Sequence, residues 1–461
     1  MNTPIVRLFG LFLVLFGALV VASSWWTVFG AEGLRDNPSN RRILFEEQRI
    51  KRGIVRAADG QVLAANRSLP GERYERRYPT GELFSHPLGF TSLDRGRIGL
   101  EQSYNDALTG RRTDAIGALE RLLGPRDVGD DLRTALSPAG QEAAFAGLGG
   151  RNGAVVALDV ETGAVLVLAA TPTFDPTDPE SAETFNRATQ GRFPPGSTFK
   201  VVTAAAALDS GRYEPDSPVD GSNGKLISGT PLNNFGGEDF GQIDLTTALT
   251  NSVNTAWASI AEDLGKDTMA EYMRRFGFYE DPPMDFPDGQ MVPSGEYGPR
   301  GRLLNPTSTQ IDVGRMAIGQ DKLLATPLQM ATVAQTIANG GMRMEPRLVA
   351  QVRDPDGRVI DEPLPEEAQR VMSEDSASKL SAMMRNVVEQ GTGTAAQLEG
   401  VDVSGKTGTA EVGDGTDDLW FIGFTDRFAV CAMLERQTGG TGGGDAAPIA
   451  AQVLKALGEE G

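Results

Sequence analysis

The chain has 461 residues, 40% hydrophobic and 23% charged, with a formal net charge of -19 at neutral pH. The length suits two or three domains with packed cores. The acidic balance excludes a nucleic acid as main partner, because a phosphate backbone needs a basic face. A single cysteine, Cys431, excludes an internal disulfide and any cysteine-based metal cluster. It lies in the apolar run 428–434 and reads as a buried thiol. The single histidine, His86, would have to carry any Ser-His-Asp triad. It stands far upstream of every catalytic motif below and is read as structural.

In chain order, Leu8 to Ala22 is almost wholly apolar and follows Arg7. Extended to Phe29, the stretch matches the roughly 20 residues that cross a bilayer. Trp25 and Trp26 sit where interfacial aromatics anchor the far end. A cleaved signal peptide competes, since Val20-Val21-Ala22 resembles a cleavage site; length and the paired tryptophans favour an uncleaved anchor. Charge does not settle orientation, because Arg7 precedes the span and Arg35, Arg41 and Arg42 follow it. With seven residues ahead of the span, the functional bulk is expected C-terminal to it. From Arg41 to about Arg77 the chain is rich in arginine and punctuated by Gly60, Gly71 and Gly81. This reads as a salt-bridged, solvated face near the membrane rather than an anionic-lipid site. Residues 96–110 read as a tight turn into a short helix.

A larger domain is expected from about Asn152. Residues 154–159 and 164–170 form a hairpin around Glu161-Thr162-Gly163. A helix runs from about Ser197 to Leu208 after Pro194-Pro195-Gly196, closed by Gly211. Residues 244–251 and 253–264 are two more helices, 279–305 a long Pro/Gly-rich loop, and 326–339 a helix. Strands return at 401–412, 419–424 and 428–434. A flexible glycine loop follows at 438–444, with no phosphate-binding role, then a final helix at 446–457. The predicted class is α+β: one antiparallel sheet flanked by helices, with a smaller N-terminal module and one transmembrane helix.

Three motifs carry chemistry: Ser197-Thr-Phe-Lys200, Ser252-Val-Asn254 and Lys406-Thr-Gly-Thr409. Decoys exist, since Ser222-Asn-Gly-Lys225 and Ser376-Ala-Ser-Lys379 repeat the first spacing and Ser103-Tyr-Asn105 the second. Only Ser197 begins an apolar helix and is followed in order by both other motifs. A serine hydroxyl needs a base within reach, and residues three apart on a helix share a face. Lys200 can therefore take the Ser197 proton if burial and a neighbouring cation, Lys406, keep it neutral part of the time. Ser197 at a helix start also gains from the positive dipole end. Gly408 leaves space for a substrate backbone to approach the strand, so that a peptide can add along it.

At these motifs the chain resembles the penicillin-binding transpeptidases, whose motif set is shared with class A β-lactamases. Gly319-Gln320, Thr326-Pro-Leu-Gln-Met330, Asn339-Gly-Gly341 with Pro346, and residues 418–424 look like that family's intervening and following stretches. Arg52-Gly-Ile54, Asp59-Gly60, Gly99-Leu-Glu101 and Leu108-Thr-Gly110 are similar to the non-catalytic module of class B members, with Ala57-Ala58 where an acidic-basic pair is usual. The expected division is 1–30 for the tip and anchor, 41–145 for a dimerisation or pedestal-like module, and 152–458 for the transpeptidase domain.

The resemblance implies a serine D,D-transpeptidase acting on peptidoglycan stem peptides, covalently inhibited by β-lactams. In it Ser197 is the nucleophile and Lys200 the base. Ser252 relays a proton, and Asn254 orients Lys200 and the donor amide. Lys406 and Thr407 hold the terminal carboxylate, Thr409 adds a hydroxyl, and the N–H groups of Ser197 and Thr409 form the oxyanion hole. No metal or organic cofactor is implied. An extracytoplasmic substrate places the domain outside the cytoplasmic membrane, and the lack of a recognisable glycosyltransferase domain implies a separate membrane glycosyltransferase as partner. A D,D-carboxypeptidase, a β-lactamase, a non-catalytic β-lactam sensor and a scaffold are the rival readings. A β-lactamase would need a deacylating water and no anchor. A sensor would need a signalling domain, and a scaffold would be expected to lack Ser197 or Lys200.

Overall fold

The computed structural model describes residues 3–28, 48–111, 128–180 and 183–460. Arg35, Arg41 and Arg42, which the sequence raised, lie outside them. Helix α1 (Thr3–Val28) is apolar along its length, and a 23-residue window, Thr3–Trp25, has a mean hydropathy of 2.6 and is not buried against the rest of the chain. It is long and apolar enough to cross a membrane.

Strands β1 (Val55–Arg56), β2 (Val62–Leu69), β3 (Arg73–Arg77) and β4 (Asp131–Thr134) follow. Next come helix α2 (Pro138–Leu148) and the hairpin β5 (Gly153–Asp159) and β6 (Val165–Thr171). Helices α3 (Lys200–Asp209), α4 (Leu245–Thr250), α5 (Asn254–Leu264) and α6 (Pro327–Ala338) fill the middle. Strands β7 (Val349–Arg353) and β8 (Val359–Asp361) precede helix α7 (Glu374–Gln390). The chain ends with β9 (Ser404–Glu411), β10 (Asp417–Phe424), β11 (Phe428–Gln437) and α8 (Ala447–Glu460).

The main sheet has the order β9-β10-β11-β5-β6 and is antiparallel throughout. Successive strand side chains point to opposite faces, and both faces are covered. Ala154, Val156, Trp420, Ile422 and Cys431 join the core on the α6 side, while Val155, Ala157, Phe421, Val430 and Ala432 join the one under α2 and α8. These strands therefore read as continuous apolar runs. Burial of Cys431 pushes its thiol pKa well up, which leaves it unreactive packing.

A second sheet, ordered β8-β7-β4-β1-β2-β3, takes two strands from within the stretch expected to form the transpeptidase domain. The face expected to be solvated is in part a core. Arg52 and Arg76 are buried, and both pair with buried Glu101, at 2.8 and 2.6 Å. Isolated buried charges are costly, so mutual pairing is what allows them there. His86 is buried too. Its Nε2 lies 3.0 Å from Pro172 O, its ring meets Phe174 edge-on, and burial lowers its pKa to about 4. Residues 96–110 form two short helical turns, Leu100–Ser103 and Asn105–Leu108, in place of one helix. The long loop carries a short strand, 295–296, that pairs with 323–324 beyond it.

Candidate active site

Ser197 stands on one 3-10 turn, Gly196–Phe199, that leads into α3. The sequence pointed to a regular helix from Ser197. In the tighter turn residues three apart eclipse, which brings Lys200 Nζ 3.0 Å from Ser197 Oγ. Thr198 Oγ1 donates to Pro195 O at 2.6 Å, and Phe199 is wholly buried, edge-on to Phe278. Gly196, at φ 53°, donates its N–H to Gly319 O at 3.0 Å. A Cβ on Gly319 would stand 2.0 Å from Gly196 O, so only glycine fits beneath the turn.

Ser252 lies between α4 and α5 at φ 56°, a left-handed conformation uncommon for a residue with a side chain. It directs both oxygens of Ser252 at Lys200: the carbonyl is 2.6 Å and the hydroxyl 3.1 Å from Nζ. Asn254 opens α5 with Oδ1 2.6 Å from Nζ, while its Nδ2 donates to Asn233 O at 3.1 Å. Wholly buried Trp257 donates Nε1 to Ala248 O at 3.1 Å, which clamps α5 to α4 across Ser252.

Lys200 is 0% exposed. Burial first, and the charge of Lys406 second, hold its pKa well below the usual lysine value. A neutral amine has two N–H groups and one lone pair. The two carbonyl oxygens at 2.6 Å occupy the N–H groups, which leaves the lone pair to a serine hydroxyl. Lys406 is also fully buried. Its Nζ donates to Thr407 O at 3.1 Å, and burial pushes its pKa down to about 7.

Strand β9 is the edge of the main sheet, and alternation divides its motif. On one side a Cβ on Gly408 would meet Pro195 O at 2.9 Å and Thr198 Cγ2 at 3.0 Å. Gly408 thus lets the strand touch the nucleophile turn. The space that the missing side chain leaves at Gly408 is taken by that turn. On the other side Thr407 Oγ1 lies 2.6 Å from Thr392 Oγ1, and Thr409 Oγ1 accepts from Gly442 N–H at 3.2 Å. The glycine segment expected to be a flexible loop is, over Gly442–Ala446, a packed π-helical turn. Gly442 has no side chain because a Cβ would stand 2.3 Å from Gly408 O and from Trp420 O.

The structure gathers Ser197, Lys200, Ser252 and Asn254 into one hydrogen-bonded cluster. Lys406 joins it through charge and Gly408 through contact. Thr407 and Thr409 lie on the reverse face of the strand. The decoys fall elsewhere: Ser222 and Lys225 both bind Asp220, Lys379 pairs with Glu214 and Asp375, and Asn105 accepts from Arg52. Sequence reasoning missed Thr392, Asn233 and Gly442. No periodicity marks them, and only the glycines around Thr392 hint at a close approach.

The penicillin binding protein transpeptidase domain model matches residues 153–455, and the penicillin binding protein A dimerisation domain model matches 52–124. The chain belongs to the penicillin-binding protein transpeptidase family. It is 33% identical, over all of both chains, to the peptidoglycan D,D-transpeptidase PbpA of Mycolicibacterium smegmatis. The solved ceftriaxone acyl-enzyme of penicillin-binding protein A from M. tuberculosis is 30% identical, with a TM-score of 0.79 over 89% of this chain and 99% of that one. A D,D-transpeptidase domain from Eggerthella lenta is 30% identical, with a TM-score of 0.77 over the same shares.

Proposed function

We propose that this chain is a serine D,D-transpeptidase that cross-links peptidoglycan stem peptides and is acylated by β-lactams at the same serine. The observation that carries this reading is the buried Lys200 amine, with two carbonyl oxygens at 2.6 Å and Ser197 Oγ at 3.0 Å from its Nζ. Ser197 Oγ attacks the carbonyl of the penultimate D-Ala while its proton passes to Lys200 Nζ. The backbone N–H groups of Ser197 and Thr409 receive the oxyanion. Ser252 relays a proton to the departing terminal D-Ala. Lys406 meets the terminal carboxylate from the cluster's side of β9, Thr407 and Thr409 bring their hydroxyls to it round the strand's edge, exchanging their bonds to Thr392 and Gly442, and Gly408 keeps strand and turn in contact. An acceptor amine then attacks the ester, which frees Ser197.

In this reading α1 anchors the protein in the cytoplasmic membrane, with residues 152–458 as the extracytoplasmic transpeptidase domain and 41–145 as the non-catalytic module. A separate membrane glycosyltransferase supplies the glycan strands. The test is a pentapeptide ending in D-Ala-D-Ala, offered with an amine acceptor. Release of D-Ala with formation of the new amide is expected. Release without amide would make the chain a carboxypeptidase, and no release would end the reading.

A further inference from the structure

Thr392 is exposed and stands just past α7, between Gly391 and Gly393. Its Oγ1 lies 2.6 Å from Oγ1 of Thr407, which is buried. Among the described residues this is the one side-chain bond that the Thr407 hydroxyl makes.

The backbone holds Thr392 in that place from several sides. Its N–H donates to Thr250 O at 3.4 Å, and Thr250 closes α4 two residues before Ser252. A Cβ on Gly391 would stand 2.5 Å from the same carbonyl, so only glycine lets the segment lie against α4. Across from it, a Cβ on Gly443 would stand 2.2 Å from Thr392 O, so the π-helical turn closes on the segment without a side chain. Gly393 N–H donates to Val387 O at 2.9 Å and ties the segment back to α7. Thr392 is thus wedged between the end of α4, β9 and the π-helical turn, with its hydroxyl set on Thr407.

A threonine hydroxyl has one proton and two lone pairs, whereas a carboxylate only accepts. Thr407 therefore serves a carboxylate only with its own proton. Thr392, being exposed, can give its proton to water and accept the one from Thr407. We infer that Thr392 is a positioning residue that latches the Thr407 hydroxyl in the free enzyme, accepting its proton until the terminal carboxylate of the acyl donor takes it over. The inference rests on the transpeptidase reading. A hydrogen bond to an ionised acceptor is roughly twice as strong as one between neutral groups, so the carboxylate wins the exchange. The latch closes again when the carboxylate leaves with the terminal D-Ala. Because each donor must open it, the latch slows acylation by donors that end in a carboxylate.

The test compares acylation of the full-length protein by two thioesters of one N-acyl-D-Ala, read as thiol release. One leaving group is thioglycolate, which ends in a carboxylate; the other is ethanethiol, which has no acceptor for a hydroxyl proton. Thr392→Val keeps the shape and removes the latch. It is expected to speed acylation by the thioglycolate ester about two- to tenfold, the rate equivalent of one neutral hydrogen bond, and to leave the ethyl thioester at its wild-type rate, however slow. Thr392→Ser keeps the hydroxyl and is expected to match wild type with both. Slower reaction of the thioglycolate ester alone would show that Thr392 binds the carboxylate itself. A change with the ethyl thioester would show that Thr392 only supports the fold, and no change with either would show an idle bond. Each of these overturns the inference alone. A wild type acylated by neither ester would bring down the transpeptidase reading as well.

Discussion

In the proposed mechanism Lys200 acts through a lone pair, and the two carbonyl oxygens at 2.6 Å take up its N–H groups. Arginine at this position is a permanent cation and offers no base near neutral pH. Lys200→Arg is expected to lower the rate of penicillin acylation by on the order of 10² to 10⁴, the span of a lost general base; stopped-flow acylation measures it. A near wild-type rate would reduce Lys200 to an electrostatic role. Ser252 combines a hydroxyl with a left-handed backbone that costs a side-chain-bearing residue roughly 1–2 kcal/mol. Ser252→Ala and Ser252→Gly both remove the hydroxyl, and only glycine relieves the backbone. Both variants are expected to acylate equally slowly, with the glycine variant melting at the higher temperature. At this scale the sequence was legible wherever chemistry fixes spacing: the serine and its lysine had to lie three apart, and two further motifs followed in order. Thr392 was not legible, because its partner Thr407 is reached through folding rather than through any period.

Among the elements, the short strand pair 295–296 with 323–324 carries an unpaired charge site. Glu296 is 0% exposed, and neither carboxylate oxygen has a hydrogen-bond partner. Burial raises its pKa to about 7 from 4.5. The Asp321 carboxylate adds to the rise, and Lys266 and Lys322 oppose it. The folded state thus holds the proton more tightly than the unfolded chain. The contribution to stability is present in full below about pH 4.5 and is lost as pH rises through about 7. The shift corresponds to about 3 kcal/mol. Glu296→Gln is expected to raise the melting temperature at pH 8 and to flatten its decline between pH 5 and 8; an unchanged slope would show that Glu296 is not the group responsible. The strands of the main sheet were legible as apolar runs because both faces are covered. Composition misled at Gly442–Ala446, where glycines allow close packing on β9, and at Arg52 and Arg76, where burial became affordable only through the distant Glu101.

For the whole molecule, the second sheet matters most, since it joins β1 to β4 with β7 and β8 across a stretch of more than two hundred residues. No local pattern in the sequence announces a pairing at that separation. It also separates the roles of the N-terminal parts. Replacing residues 1–28 with an unrelated anchor removes nothing from either sheet, and is expected to leave penicillin acylation within about twofold, inside the limit of a negligible contact. Deleting residues 1–110 strips β1, β2 and β3 from the second sheet and is expected to lower the melting temperature. If both changes leave melting unaltered, the second sheet does not support the catalytic half. The purified protein, given lipid-linked disaccharide-pentapeptide alone, is expected to make no glycan polymer, and polymer formation would refute the need for a partner glycosyltransferase.

One serine, set by its turn 3.0 Å from the buried Lys200 amine, is the proposed nucleophile. Labelling with a fluorescent penicillin, followed by peptide mapping of wild type and Ser197→Ala, decides whether it is. A single labelled peptide containing Ser197 is expected, with no label in the variant at unchanged melting temperature. Label on another peptide, or label that persists in Ser197→Ala, would contradict it.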